Sequence, residues 1–325
     1  MSGSGPTIGV DIGGTKCLGV VLDPAGDVLR EYRLPTPRTG DALVSTVAAV
    51  VSELSAHIPD TQIRVGVGAP GLVDADGVLR FTPNLPGVVD LPLRSLLQAG
   101  LPINARVVID NDATCATWAE SVMGAAVGAS EVVMATIGTG IGGGLISEGR
   151  LRRGHHGFAG EIGHMVVDPQ GPRCPCGQQG CWERYASGSG LGWMGREAAQ
   201  AGAGNRLVQL AGGDPEAVRG EHVTVAAAEG DAQAKEVMGR FAWWLALGLA
   251  NLANALDPEL IVLGGGIVES GPVLLQPARA AFELLLEGGH HRPPVPLVAA
   301  QLGERAGAIG AALLAREAGQ ATRPR

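Results

Sequence analysis

The chain is organised around the stretch Gly160–Ser187, GEIGHMVVDPQGPRCPCGQQGCWERYAS. Nine residues separate His164 from Cys174, one separates Cys174 from Cys176, and four separate Cys176 from Cys181. Three thiolates and an imidazole suit zinc, which binds four such ligands tetrahedrally and leaves no open position for water when the protein supplies all four. We therefore predict a structural Zn²⁺ site formed by these four residues.

Proline and glycine residues lie between the predicted ligands and disfavour a helix or strand there. We expect a small loop-rich knob pinned by the metal, called the cysteine knob (residues 164–181), with Glu161 just before it and Glu183 just after it. The alternatives are a disulfide pair or inert buried thiols. Cysteines one residue apart rarely have the separation that a disulfide needs, and nothing in the sequence suggests an oxidising compartment. Cys17 and Cys115 should be small core residues.

Length, charge and apolar runs exclude several classes of protein. With 325 residues the chain is long for one core, so two domains are expected. The formal charge of −8 and the scattered Lys and Arg residues argue against nucleic acid as a partner. The first residues, MSGSGPTIGVD, lack the features of a signal peptide, and the longest apolar run, Phe241–Leu256, is interrupted and short for a membrane span. We expect a cytoplasmic protein without a membrane partner.

The first motif is a glycine-rich turn between two β-rich runs, Thr7–Leu22, and Val28–Leu34 can add a third strand. This pattern predicts an antiparallel meander, so the turn Gly13–Lys16 joins strand to strand, whereas a helix must follow a Walker loop or a dinucleotide fingerprint. Its backbone N–H groups can bind an anion, beside the Thr15 hydroxyl and the Lys16 ammonium. The alternative is a turn without a ligand, because most glycine hairpins bind nothing.

Helical spacing and turn signals then predict several further elements. They are a helix over Asp41–Ile58 capped by Asp41, a buried strand over Ile63–Gly68, a hairpin over Leu72–Arg80, a loop containing Asn84, a helix near Leu93–Ala99, a long helix over Asp231–Leu256 and a final helix over Ala306–Glu317.

Three polar residues follow the next predicted strand, Ala105–Ile109, and precede a predicted helix over Ala113–Met123. Polar side chains at the carboxyl end of a strand in an open α/β sheet lie where ligands bind. The alternative is that the acids of Asp110–Asp112 only cap the helix, which does not explain three polar residues in a row.

The stretch Val132–Ile146 repeats the strand, glycine turn, strand plan of the first motif. Two copies suggest a two-lobed molecule with a pseudo-dyad and a phosphate site contributed by both lobes. Farther on, the predicted strand Leu260–Leu263 runs into Gly264–Gly266, where a flat ligand can approach the backbone closely.

Together these motifs resemble the ROK kinases, the family of bacterial sugar kinases and sugar-responsive repressors built on the actin-like ATPase fold. Within that family the chain is most similar to the glucokinases of high-GC Gram-positive bacteria. The motifs are DIGGTK at Asp11–Lys16, DNDA at Asp110–Ala113, GTGIGGG at Gly138–Gly144, GEIGH at Gly160–His164, CPCGQQGCWE at Cys174–Glu183 and LGGGI at Leu263–Ile267.

The resemblance implies an α/β, two-lobed actin-like (ribonuclease H-like) fold with a zinc-pinned loop knob. We expect a small α/β domain of residues 1–112 plus 304–325 and a larger α/β domain of residues 113–303 that carries the zinc site. Bulky apolar residues on the long predicted helix, among them Trp243 and Trp244, also suggest a homo-oligomer, a dimer or tetramer; the alternative is that they are fully buried within the larger lobe.

The resemblance also assigns roles to matching positions. Asp112 would be the catalytic base, ionised at neutral pH with an ordinary carboxylate pKa, and His164 would give one ring nitrogen to zinc and the other to the sugar. The sugar hydroxyls would be bound by Asn84, Asn111, Asp112, Glu161, His164 and Glu183. Phosphates and Mg²⁺ would be bound by Asp11, Gly13, Gly14, Thr15, Lys16, Gly138, Thr139 and Gly140, and Gly264, Gly265 and Gly266 would lie near the adenine. Zinc would be held by His164, Cys174, Cys176 and Cys181.

The expected activity is ATP-dependent phosphorylation of glucose to glucose 6-phosphate. Alternatives are a ROK kinase for N-acetylmannosamine, N-acetylglucosamine or fructose, and polyphosphate in place of ATP as the donor. A sugar-responsive repressor of the family carries a DNA-binding domain ahead of the first glycine motif. That motif begins here at Asp11, so we expect a kinase.

Overall fold

A computed structural model describes residues 5–56, 58, 63–83, 85, 87–101 and 105–320. The strands are β1 (Thr7–Ile12), β2 (Lys16–Leu22), β3 (Val28–Pro35), β4 (Arg64–Ala69), β5 (Leu72–Val73), β6 (Leu79–Phe81), β7 (Val89–Leu91), β8 (Arg106–Asn111), β9 (Val132–Ile137), β10 (Ile141–Ser147), β11 (Arg150–Leu151), β12 (Leu260–Gly264) and β13 (Leu297–Ala299). The helices are α1 (Gly40–Ser55), α2 (Leu93–Gly100), α3 (Asp112–Met123), α4 (Glu183–Ala186), α5 (Gly188–Gln200), α6 (Asn205–Leu210), α7 (Gly220–Ala228), α8 (Ala232–Leu256), α9 (Pro272–Leu285) and α10 (Ala306–Gln320).

The chain divides into two compact units. Unit 1 comprises residues 1–130, 144–160 and 301–325, and unit 2 comprises residues 131–143 and 161–300. The domain boundaries predicted above, at residues 112 and 304, stay a prediction.

Two five-stranded sheets repeat one plan. The first has the strand order β3-β2-β1-β4-β8 and the second has the order β11-β10-β9-β12-β13. In the first sheet β1, β2 and β3 are antiparallel, as predicted, and β4 and β8 run parallel to β1. In the second, β12 is parallel to both β9 and β13, whereas β10 and β11 are antiparallel. Each glycine turn therefore connects the middle strand of a sheet to its antiparallel neighbour, which confirms the repeated motif.

Unit 1 packs helices on both faces of the first sheet. Successive residues of β2 point to opposite faces: Cys17 joins the core under α1, and Leu18 joins the core formed with α3 and α10. Helix α10 lies so close to β1 that a Cβ atom on Gly9 would fall 1.9 Å from the carbonyl oxygen of Ala308. Only glycine permits this approach, so the small residues of α10 and β1 fix the position of the last helix against the sheet.

Helix α1 corrects one prediction. It begins at Gly40, one residue before the predicted start, and Asp41 is not its cap. The N-cap is Thr39, which has extended backbone dihedrals and makes no side-chain capping hydrogen bond. Asp41 instead lies in the first turn, where its negative charge interacts favourably with the helix N-terminus.

The long helix α8 of unit 2 agrees with its prediction. The Asp231 side chain caps it by accepting a hydrogen bond from the backbone N–H of Ala234, at 2.8 Å. Phe241 is fully buried, whereas Trp243 keeps 43% of its surface exposed. Within the described ranges, none of the helices combines the length and the apolar character needed to cross a membrane.

A buried carboxylate on α3 ties three chain segments of unit 1 together. Glu120 has no exposed surface. Its Oε1 atom accepts hydrogen bonds from the backbone N–H groups of Gln301 at 2.9 Å and Leu302 at 2.8 Å, and its Oε2 atom accepts one from Ala125 at 2.7 Å. Because these bonds are charge-assisted, Glu120 holds the segment that leads into α10 against the end of α3.

We predict that Glu120→Gln lowers the free energy of unfolding by roughly 2–4 kcal/mol, because the amide nitrogen of Gln cannot accept one set of these bonds. The measurement is urea unfolding, with Glu53→Gln, an exposed position on α1, as the matched control that should change little. An unchanged urea midpoint for Glu120→Gln would show that the three bonds do not stabilise the fold.

Candidate functional site

The first glycine turn of unit 1, residues 13–16, connects β1 to β2. A backbone hydrogen bond from Gly13 N to Lys16 O, at 2.9 Å, closes it. A Cβ atom on Gly14 would meet nothing within 4 Å, and Gly14 does not have the positive φ that favours glycine. The fold therefore does not require glycine here, and the open space fits a ligand that contacts the backbone. The Lys16 ammonium forms an ion pair with Glu304.

The three polar residues Asp110–Asp112 lie where β8 ends and α3 begins, because β8 extends two residues beyond the predicted strand end at Ile109. The Asp110 carboxylate accepts a hydrogen bond from Arg153 Nε at 2.6 Å and another from the Asn111 backbone N–H at 2.9 Å. Asn111 caps α3, since its Oδ1 atom accepts a hydrogen bond from Thr114 N at 3.0 Å. The alternative that the acids cap the helix is thus wrong, because the capping side chain is the amide of Asn111. The sequence pattern does not predict the ion pair of Asp110 with Arg153, because the two residues are 43 positions apart in the chain.

Asp112 is the first residue of α3, and its Oδ1 atom accepts a hydrogen bond from the backbone N–H of Ala113 at 2.8 Å. Asp11 of β1 lies nearby. A Cβ atom on Gly68 would be 3.3 Å from the Cα atom of Asp112 and 3.5 Å from Asp11 Oδ1, and one on Gly307 would be 2.7 Å from the same Oδ1. Glycine at 68 and 307 therefore makes room for two neighbouring acids.

Asp11 Oδ1 is buried and has no hydrogen-bond partner among the described residues. An unpaired buried carboxylate oxygen is costly unless a cation neutralises it. Two carboxylates with this environment suit a hard cation such as Mg²⁺, which prefers oxygen ligands. The residues present therefore fit a magnesium ion brought in with a nucleotide.

The predicted metal ligands of unit 2 come together. The ligand atoms of His164, Cys174, Cys176 and Cys181 all lie within 4.8 Å of one another. The Sγ atoms of Cys176 and Cys181 are 3.6 Å apart, and Cys174 Sγ is 3.7 Å from His164 Nδ1. Tetrahedral zinc with bonds of about 2.3 Å to sulfur and about 2.0 Å to nitrogen places such atoms roughly 3.5–3.8 Å apart. The cluster could therefore hold a zinc ion.

The protonation state of the cluster thiols determines how metal binding depends on pH. Without a cation, burial raises the pKa of the Cys174 thiol well above its usual range and the pKa of Cys181 to about 11. Zinc binds thiolates, so it must displace these protons, and metal affinity should fall as pH falls.

The cysteine knob consists of turns and isolated bridges, as predicted, and aromatic residues anchor it to α8. Trp182 is fully buried, and its Nε1 atom donates a hydrogen bond to the Trp244 carbonyl at 2.8 Å. A Cβ atom on Gly248 would lie 2.0 Å from the Trp182 ring, so glycine is required there. Tyr185 stacks on Trp244 with ring centroids 4.0 Å apart and donates a hydrogen bond to Asp168 Oδ2 at 2.6 Å.

Two acids of unit 2 lie beside the cluster. His164 directs Nδ1 toward the thiols, and its Nε2 atom is 3.9 Å from Glu161 Oε2. Glu183 Oε1 is 3.2 Å from Cys174 Sγ, and its Oε2 atom accepts a hydrogen bond from the Ile141 backbone N–H at 3.3 Å. The imidazole thus offers one nitrogen to a metal and the other to a group outside the cluster.

The second glycine turn, residues 138–140, also contains a glycine that the fold does not require and that faces open space. A Cβ atom on Gly138 would meet nothing within 4 Å, and its φ is not positive. After β12, Gly265 has a φ of 90° and packs on the Ile137 backbone, whereas Gly266 again faces open space. Gly265 is therefore required by the fold, while Gly138 and Gly266 leave room for a ligand.

Comparison with known families shows to which family this chain is related. A model of the ROK family matches residues 7–318. The chain belongs to the ROK family. The resemblance inferred from the motifs is confirmed, and it extends over nearly the whole chain.

Relatives of this ROK chain include kinases of different sugars. It is 42% identical over 318 residues to the glucokinase of Streptomyces coelicolor, covering 96% of this chain and 98% of the relative. It is 34% identical over 314 residues to the N-acetylmannosamine kinase of Escherichia coli O127:H6, covering 95% and 98%. The ROK family glucokinase from Streptomyces griseus, solved in complex with glucose and AMPPNP, has a TM-score of 0.87 at 40% identity, covering 96% of this chain and 100% of that one. The mixed α/β fold is thus that of a ROK glucokinase of known structure.

The predicted site residues of the ROK chain fall into two groups, one in each unit. Unit 1 brings together Asp11, Gly13, Gly14, Thr15, Lys16, Asn111 and Asp112. Unit 2 contains Gly138, Thr139, Gly140, Glu161, His164, Cys174, Cys176, Cys181, Glu183, Gly264, Gly265 and Gly266. Asn84 lies outside the described residues.

The two acids of unit 1 are electrostatically unusual. Burial raises the pKa of Asp112 to about 6, so the expectation of an ordinary carboxylate pKa is wrong. Burial, followed by the negative charge of Asp112, raises the pKa of Asp11 to about 8. The metal-free ROK chain therefore holds Asp112 mainly ionised and Asp11 mainly protonated at pH 7.

This pair predicts a pH-dependent stability in magnesium-free buffer. The pKa of Asp11 is about 8 in the folded chain against 3.8 for the unperturbed group, so its contribution to stability is present below pH 4 and is lost as pH rises through 8. Asp11→Asn should therefore raise the free energy of unfolding, measured by urea denaturation, by at least about 1 kcal/mol at pH 8 and by less at pH 5. The control is Asp27→Asn at an exposed position. A gain for Asp11→Asn that is equal at both pH values would contradict the shifted pKa.

Proposed function

We propose that this chain is a glucokinase that transfers the γ-phosphoryl group of ATP to the 6-hydroxyl of glucose. The observation that carries the proposal is the full-length similarity to the Streptomyces griseus glucokinase, solved with glucose and AMPPNP, at a TM-score of 0.87. The 42% identity to the Streptomyces coelicolor glucokinase supports the same activity.

In unit 1, Asp112 accepts the proton of the glucose 6-hydroxyl. Its Oδ1 atom accepts a hydrogen bond from Ala113 N, which orients the carboxylate. Phosphoryl transfer passes through a loose transition state, so the base acts late, as the new bond to phosphorus forms. The Oδ1 atom of Asn111 caps α3, and its Nδ2 atom donates a hydrogen bond to Gly71 O at 3.2 Å. These two bonds fix the orientation of the amide for a sugar hydroxyl.

The two glycine turns bind the phosphates of the donor. Backbone N–H groups in such turns bind oxyanions, and in the first turn the Thr15 hydroxyl and the Lys16 ammonium add to them. Asp11 would hold the magnesium ion, which would supply positive charge to neutralise the transferring phosphate. The glycine run of residues 264–266 contacts the adenine.

Glu161, His164 and Glu183 of unit 2 bind glucose hydroxyls. Asn84, which lies outside the described residues, is proposed to bind another. Carboxylates form strong, charge-assisted hydrogen bonds with hydroxyl donors. Zinc in the Cys3His cluster supplies rigidity and no chemistry, because the four protein ligands leave no open position. His164 is a ligand of that cluster and also directs Nε2 away from it, so the cysteine knob orients a sugar-binding side chain.

The pKa of Asp112 predicts the acid limb of the activity. Because burial raises this pKa to about 6 and only the carboxylate can accept the proton, kcat/KM for glucose should fall about tenfold per pH unit below that value. Rates measured from pH 4.5 to 8 at saturating Mg²⁺ and ATP would test this. An acid limb that begins only near pH 4 would show that Asp112 titrates as an ordinary carboxylate.

The identity of the sugar can be tested directly, because one relative named above is an N-acetylmannosamine kinase. A panel of glucose, N-acetylmannosamine, N-acetylglucosamine and fructose, each with ATP or polyphosphate, separates the alternatives. We expect the highest kcat/KM with glucose and ATP. Phosphorylation of none of these sugars would overturn the proposal.

Several broader features belong to the same proposal. The repeated sheet order supports an actin-like ATPase fold, with domains at residues 1–112 plus 304–325 and 113–303. The exposed Trp243 supports a homo-oligomer, which light scattering at micromolar concentration would test. A kinase of cytosolic glucose and ATP would act in the cytoplasm.

A further inference from the structure

Each glycine turn is braced by a hydroxyl group from outside the turn. In unit 1 the brace is Thr36, which directly follows β3. Its Oγ1 atom donates a hydrogen bond to the Gly13 carbonyl at 2.7 Å, and its backbone N–H donates one to the Thr15 carbonyl at 3.1 Å. One residue therefore holds two carbonyl oxygens of the first glycine turn.

Unit 2 uses the same arrangement with different residues. The Ser189 Oγ atom, at the start of α5, donates a hydrogen bond to the Thr139 carbonyl at 2.8 Å. The neighbouring Gly188 N–H donates one to the Gly138 carbonyl at 2.7 Å. As in unit 1, a hydroxyl and a backbone N–H from one short segment take two carbonyl oxygens of the turn. Ser189 is far from Thr36 in the chain, so the two braces are independent observations.

The braces matter because of what a phosphate requires. A turn binds an anion through backbone N–H groups, and a carbonyl oxygen that rotated toward the anion would repel it. A glycine turn is especially free to rotate, because glycine lacks the Cβ atom that restricts φ and ψ. A carbonyl that accepts a bond from a hydroxyl is committed to the protein and cannot turn toward the ligand.

We propose that Thr36 and Ser189 are positioning residues for the phosphate donor: each holds its glycine turn in the conformation that presents N–H groups to ATP. The inference rests on the glucokinase function proposed above. Neither residue needs to touch ATP, and neither needs to touch glucose, so the two substrates should respond differently when a brace is removed.

The experiment removes each hydroxyl with and without a conservative rescue. Thr36→Val and Ser189→Ala remove the donor, whereas Thr36→Ser and Ser189→Thr keep it. We expect the first pair to raise KM for ATP by roughly 5- to 20-fold, the effect of losing about one ordering hydrogen bond, and the rescue pair to stay within about threefold of wild type. KM for glucose and the thermal midpoint should change little in all four variants.

Matched controls remove exposed hydroxyls that also donate to carbonyls but lie on helices. Ser45 Oγ donates to Asp41 O at 2.9 Å in α1, and Thr224 Oγ1 donates to Glu221 O at 2.9 Å in α7. Ser45→Ala and Thr224→Val should leave KM for ATP unchanged, because neither bond restrains a glycine turn.

The outcomes separate this inference from the proposed function. Absence of glucose-dependent ADP release in wild type would overturn the glucokinase proposal itself. An active wild type with normal KM for ATP in Thr36→Val and Ser189→Ala would overturn only the positioning role, as would an equal rise in KM for ATP and for glucose. If Thr36→Val did not fold, the Ser189 pair would decide the question on the second turn.

Discussion

Replacing Asp112 with Asn should lower turnover of glucose by roughly 10²-fold or more, the usual size of a general-base contribution. Asn keeps the shape of Asp and can still accept the hydrogen bond from Ala113 N, which is 2.8 Å long in the wild type, so α3 should begin as before. It cannot accept the hydroxyl proton as the bond to phosphorus forms. The loss should therefore appear in kcat.

Glucose affinity of this variant should change much less, because the other proposed sugar ligands remain. Isothermal calorimetry with glucose, beside steady-state kinetics, separates the two effects. Asp27→Asn, an exposed position, is the matched control for the same chemical change. Near-normal turnover of Asp112→Asn would show that this residue is not the general base. Loss of glucose binding in a folded variant would show that it binds the substrate and does not act as a base.

Replacing Cys176 with Ala should remove the metal and, with it, stability and activity together. A three-ligand site binds zinc far less tightly, and the folding free energy that a structural zinc contributes is then lost, an effect of several kcal/mol. Wild type should contain about one zinc per chain, as four closed ligands imply. Because His164 is both a cluster residue and a proposed sugar ligand, KM for glucose should rise in any variant that still folds.

Metal analysis and thermal unfolding with and without a chelator provide the readouts. As a control, Cys17→Ala removes a buried thiol outside the cluster, and the variant should still contain about one zinc per chain. A Cys176→Ala protein that lacked metal and retained full activity would show that the cysteine knob does not support the sugar site.

The metal cluster was predictable because the residue types themselves indicate metal binding. Three cysteines and a histidine in a proline- and glycine-rich stretch limit the possible ligands, and their ligand atoms do come within 4.8 Å of one another. The two glycine turns were predictable for a similar reason: a glycine cluster between two β-rich runs leaves few structures open, and the sheets place both turns at equivalent positions.

Residues that act through tertiary contacts were not predictable. Thr36 reads as an ordinary loop residue after a strand, and its bond to Gly13 exists only because β3 pairs with β2 in a particular register. Glu120 reads as a surface position of a helix, because nothing local shows that residues 301 and 302 cover it.

Burial also changes the chemistry of a residue that the sequence singles out. The sequence places Asp112 at the end of a strand, yet its raised pKa comes from burial in the folded chain, which the local sequence does not show. The capping of α3 by Asn111 likewise depends on the helix starting at Asp112, one residue earlier than predicted. Errors of one residue in helix boundaries thus change the assignment of individual side chains.

The most direct test of the central claim compares glucose with 6-deoxyglucose, which lacks only the hydroxyl that is proposed to attack ATP. Phosphorus NMR of the reaction with ATP and Mg²⁺ should show a phosphomonoester and ADP forming with glucose and neither forming, above the background rate, with 6-deoxyglucose. Formation of a sugar phosphate from 6-deoxyglucose at a comparable rate, or none from glucose, would contradict the account.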